Sequence, residues 1–102
     1  MNNGILRHMV YFSLKYPVDA PETAAFLKDG ERILTSITGV KEFEVLRQVS
    51  PKCDFHFGFS MEFDGQEAFD TYMNHPIHQE FVKQRWETEV AKFQEIDVVK
   101  GN

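Results

Sequence analysis

The stretch YMNHPIHQEF, Tyr72 to Phe81, sets a tyrosine and two histidines around a proline. A histidine exchanges a proton near neutral pH, and a tyrosine hydroxyl donates to an oxygen that is gaining negative charge. Pro76 suits the first position of a new helix, where its missing N–H has no partner to lose. His75 then becomes the cap residue and His78 falls in the first turn. The positive end of a helix disfavours imidazolium, so His78 would be a neutral imidazole and a general base. Tyr72 closes the preceding short helix, and a sharp corner would fold its hydroxyl back toward His78. Together they would serve proton transfer beside a carbonyl, given a pocket between helices and sheet. The same residues also make a plain helix corner, in which the proline breaks the chain and a histidine satisfies a free backbone N–H.

His8 alternates with apolar neighbours on the first strand and is expected on the helix side, as a hydrogen-bonded core residue or a polar group of the pocket. Val10, Phe57, Phe59 and Phe81 are the candidate apolar lining of a substrate site, and the phenylalanines are equally able to plug it. His8, His56, His75 and His78 are four potential metal ligands, but His8 and His56 fall on opposite parities of their strands and no carboxylate stands at a recognisable metal spacing. No metal is therefore expected. No cofactor is expected either, since the histidines lack the context of a haem axial ligand. Trp86 reads as a packing or interface residue. Cys53, the single cysteine, sits in a polar turn with nothing to activate it.

Composition bounds the setting. A chain of 102 residues makes one domain, and ten phenylalanines exceed what a small core strictly needs. The formal charge of −5 argues against nucleic acid, which calls for a basic stripe. One cysteine excludes an intrachain disulfide and fits a reducing compartment. No apolar run approaches a membrane span, and the first residues, MNNGILRHMVYFSLKY, read as a strand and not as a leader. The expected location is the cytoplasm.

The elements that would position the site follow from periodicity. LRHMVYFSLKY alternates, with His8, Val10, Phe12 and Leu14 on one face. DAPETAAFLKDGERILTSITG reads as a helix capped near Asp19 or Ala20 and leaving at Gly39, with Phe26, Gly30, Ile33 or Leu34, and Ile37 on one side. Gly30 weakens it and leaves room beside it. VKEFEVLRQVS is a second strand. FHFGFSMEF is a third, with Phe55, Phe57, Phe59, Met61 and Phe63 facing one way and His56, Gly58, Ser60 and Glu62 the other. DGQEAFDTYM is a short helix with Asp64 as its N-cap. HPIHQEFVKQRWETEVAKF is a longer one with Phe81, Val90 and Phe93 as core candidates, and EIDVVK is a short last strand. The order β-α-β-β-α-α-β gives an α+β, ferredoxin-like domain with a four-stranded antiparallel sheet and helices on one face. The other face carries Met9, Tyr11 and Gly58 and needs a cover. A second copy related by two-fold symmetry would close an α/β barrel across a homodimer.

Over nearly its whole length the chain resembles the stress-responsive dimeric α/β-barrel (Dabb) family. The resemblance rests on RHMVYFSLK, on ITGVKEFEV, and most specifically on FHFGFSMEFDGQEAFDTYMNHPIH, where an aromatic strand runs into Y-x-x-H-P-x-H. It implies the dimerised ferredoxin-like sheet. One plant branch with this motif cyclises a linear polyketide by an aldol-type condensation. Carried across, that branch implies Tyr72 and His78 as the acid–base pair and His8 near the pocket. Its third-strand histidine falls on Phe57 here, which departs from that branch and argues for a different small, apolar or aromatic compound.

Overall fold

The computed structural model describes residues 4–101. Its elements run β1 (Leu6–Leu14), α1 (Pro21–Leu34), β2 (Lys41–Arg47), β3 (Phe57–Phe63), α2 (Gln66–Met73) and α3 (Pro76–Phe81). A π turn (Val82–Trp86) and a single helical turn, α4 (Glu87–Glu89), then lead into β4 (Val90–Val99). The sheet order is β2-β3-β1-β4, with every pairing antiparallel. This is the ferredoxin-like arrangement. Among the described residues, no helix is long and apolar enough to cross a membrane.

Alternation on the two central strands builds the core. Val10, Phe12, Phe57, Phe59, Met61 and Phe63 are buried on the helix side. Phe26 of α1 sits against Phe12 at 5.7 Å between ring centroids and against Phe59 at 6.3 Å. Gly30 lets α1 pack close against Phe59 of the sheet: a Cβ there would lie 2.7 Å from Phe59 Cζ, so the room it leaves is taken by that ring.

Four local expectations need correction. The last helix does not run on to Phe93; it ends at Glu89, and the last strand begins at Val90, well before Glu95. The reason lies in β1, which pairs along its full length from Leu14↔Val90 to Leu6↔Val99. Val90 and Phe93 are therefore strand residues, and Phe93 is half exposed at 51%. The five-residue spacing of Phe81 and Trp86 does not suit an α-helix. The π turn, whose hydrogen bonds run from i to i+5, brings both rings onto Phe26, at 5.7 and 6.0 Å.

Asp64 is not the cap of α2. That position belongs to Gly65, which has no side chain to offer, and both Asp64 oxygens take Lys41 Nζ at 2.8 Å. β3 starts at Phe57, two residues later than its alternation suggests. Phe55 consequently leaves the helix side and joins Tyr11 and Ile96 on the other face, with Lys92 Nζ 5.5 Å from its ring centre.

Candidate active site

β1 and the α2–α3 corner meet over a cavity of about 200 Å³. His8 and Val10 reach it from β1, Phe59 and Met61 from β3, Tyr72 from α2, and His78 and Phe81 from α3. Trp86 of the π turn, with Phe93 and the exposed Glu95 of β4, adds to the wall. Engineered apolar cavities of about 150 Å³ hold benzene, so this space admits a single ring or an aliphatic compound of similar bulk. Phe57 is buried against Phe12, 6.2 Å away, and does not contribute to the lining. His56 is exposed beyond the start of β3.

The corner divides its work between residues. His75 is the N-cap of α3, its Nδ1 accepting a hydrogen bond from the Ile77 N–H at 3.1 Å, with Pro76 in the first turn. With that role filled by His75, the His78 side chain is not needed as the cap. Its ring packs on Tyr72, 4.5 Å between centroids, and its Nδ1 is buried without a well-formed partner among the described residues. Burial pushes the His78 pKa below its ordinary value; the Met73 backbone opposes this shift, while His8 and His75 add to it. The ring is therefore neutral at neutral pH, with a nitrogen able to accept a proton.

Tyr72 is almost wholly buried at 2% exposure. Burial pushes its phenol well above the ordinary range, with Glu95 adding to the effect. It stays protonated and is able to donate to an incoming acceptor.

His8 is buried at 3%, with its ring 5.0 Å from Phe69 and 6.2 Å from Tyr72. Its Nδ1 lies 2.5 Å from Asp97 Oδ1 on β4. The two stand directly opposite in the β1–β4 register, and opposed residues share a face. Sequence reasoning passed over Asp97 and Glu95. Their alternation in QEIDVV was the available signal, but it acquires meaning only once β4 is long enough to pair with all of β1.

The π turn is anchored from outside the cavity. Arg85 bonds Asp29 of α1 at 2.9 Å and also Glu89, which takes the Tyr16 hydroxyl at 3.0 Å. Arg85 holds the Asp29 carboxyl below its usual range. This clamp fixes the turn that presents Val82 and Trp86 to the cavity.

Chemically, the site offers a neutral imidazole, a permanent phenol donor and a carboxylate-backed imidazole inside an apolar wall. No lysine or arginine is among its lining residues.

The sequence matches the Stress responsive A/B Barrel Domain (Dabb) family over residues 6–100. It is 52% identical to a Dabb family protein with a ferredoxin-like fold from Mesorhizobium loti, with a TM-score of 0.95 over 97% of this chain and 99% of that one. It is also similar in fold to a dimeric protein of unknown function from Bacteroides fragilis, at 22% identity and TM-score 0.71, covering 95% and 97% of the two chains. A hydroxynitrile lyase from Passiflora edulis shares the fold at 17% identity and TM-score 0.84, covering 99% and 97%. No protein of curated function matches the sequence.

Proposed function

The chain belongs to the stress-responsive A/B barrel domain family, and from that premise we propose that it is a homodimeric small-molecule enzyme of the proton-transfer type. Residues 1–102 form one dimeric α/β-barrel domain in each copy. The pocket takes an uncharged apolar or aromatic carbonyl compound. Tyr72 donates to the carbonyl oxygen and His78 takes a proton from the neighbouring atom, as a lyase, isomerase or cyclase requires.

One observation carries this reading. Tyr72 and His78 border one cavity with their rings 4.5 Å apart, while the capping at that corner falls to His75. By analogy of fold, the dimeric relative from Bacteroides fragilis supports the homodimer, and the lyase from Passiflora edulis supports a lyase-type reaction.

A second reading, a non-catalytic dimeric domain, draws on that same cap, since His75 and Pro76 show that part of the motif serves the fold. The two separate on His78. Cyclohexanone, a single six-membered ring, matches the cavity in bulk and carries exchangeable α-protons. In D₂O the protein should speed their exchange, and His78→Ala should lower the acceleration by about 10²–10⁴ while circular dichroism stays unchanged. An exchange rate unaltered in His78→Ala would sink the enzymatic reading. A folded-state loss of roughly 0.5–2 kcal/mol in that variant, with no exchange activity to lose, would favour the structural one.

A further inference from the structure

His78 is only one of two imidazoles that border the cavity; the other is differently equipped. His8 is buried, and its Nδ1 is 2.5 Å from the Asp97 carboxylate, which itself stays 40% exposed. A carboxylate accepts and never donates when ionised, so the proton of a neutral His8 belongs on Nδ1. Nε2 is then left with its lone pair. Among the described residues no hydrogen bond occupies Nε2, and His8 lines the cavity. His78 has no such carboxylate, and its burial works against holding a charge. The two imidazoles therefore suit different tasks.

We propose that His8, positioned by Asp97, is a second acid–base residue of this pocket, and that the pocket's substrates are uncharged compounds bearing a hydroxyl as well as, or in place of, a carbonyl. The inference rests on the pocket reading given above. In the step assigned to it, Nε2 takes the proton of the substrate hydroxyl while the electron pair of the O–H bond stays on oxygen. The imidazolium so formed is offset by Asp97. The same nitrogen returns the proton when the product forms, so nothing is oxidised or reduced. Two proton stations beside one phenol donor match reactions that move a proton from one substrate atom to another, which a lone base serves less well. Charge on the wall sets the substrate class. Glu95 and Asp97 are the neighbouring carboxylates, with no lysine or arginine in the lining to receive an anion, so carboxylate-bearing compounds are excluded.

The test reads the histidine nitrogens directly. ¹⁵N NMR of the intact protein should show His8 protonated on Nδ1 and bare on Nε2. Asp97→Asn, an isosteric change at a partly exposed side chain, should shift it to a mixture of tautomers or to the opposite one. Titration with benzyl alcohol should then move the Nε2 signal of His8, with binding about tenfold weaker in Asp97→Asn, and benzoate should produce no shift. His8 protonated on Nε2 in the unaltered protein, or a tautomer indifferent to Asp97→Asn, would overturn the pairing. Benzyl alcohol that moves Tyr72 and His78 signals but leaves Nε2 of His8 unmoved would overturn the acid–base role alone. No shift at any of the three residues would overturn the pocket reading and the acid–base role with it, whichever tautomer is found.

Discussion

His78 loses hydration on folding, and a charged imidazole loses more than a neutral one. Its pKa is accordingly lowered from 6.5 by burial, despite the opposing pull of Met73. In the unfolded chain the ring takes a proton first as the pH drops. Stability from this residue is thus complete above about pH 6.5 and is lost as the pH falls from there toward the lower folded value. Urea midpoints measured between about pH 7.5 and 5 should decline for the natural protein and decline less for His78→Gln. Equal declines would show that His78 is not the group responsible. Single residues differ in how far they could be read beforehand. Pro76 fixes its own place in a first turn and thereby that of His75 as cap, so both were legible. The contact between His8 and Asp97 was not, because it depends on where β4 begins, and a proton-bearing pair formed across strands has no local spacing to reveal it.

At the level of elements, α1 approaches the sheet through Gly30. A methyl group at that point would meet Phe59 Cζ at 2.7 Å and Phe81 Cζ at 3.4 Å, and both rings line the cavity. Alanine gains about 1 kcal/mol of helix propensity, while overpacking costs about 1–3 kcal/mol. Gly30→Ala should therefore come out destabilised, and thermal unfolding would show it; a stabilised variant would mean that Phe59 swings aside freely. The clear alternation of β1 and β3 made these strands legible. The last helix was not, because Trp86, Val90 and Phe93 recur at intervals of four and three residues, a helical spacing, although they belong to the π turn and β4. Only the π turn and the demand of β1 for a partner strand decide where the helix stops. The cap of α2 misled for a simpler reason: Asp64 is a good cap type standing one residue too early.

On the scale of the whole molecule, one sheet face and the β4 edge lack a cover. Ile96 and Val98 are 39% and 40% exposed on the face away from the helices, and nearly every residue of β4 is exposed on this outer edge. Sheets bury such faces against other sheets, and a long apolar edge left open invites pairing. A two-fold copy satisfies both. Sedimentation at micromolar concentration should give a dimer, and Ile96→Lys should shift it toward monomer; a monomer from the natural protein at that concentration would show that no second copy covers this face. The ferredoxin-like order was readable from the sequence of elements, since few topologies accept two crossovers of this kind. The cavity was not readable, because whether ten phenylalanines fill a space or border it depends on turns such as Val82–Trp86. Whether that cavity is a site for a carbonyl compound is read most directly from a crystal structure of the protein soaked with cyclohexanone. The ketone should lie inside, its oxygen within hydrogen-bonding distance of the Tyr72 hydroxyl and an α-carbon facing the His78 ring. A cavity closed by its own phenylalanines, or a ketone whose oxygen turns away from Tyr72, would contradict it.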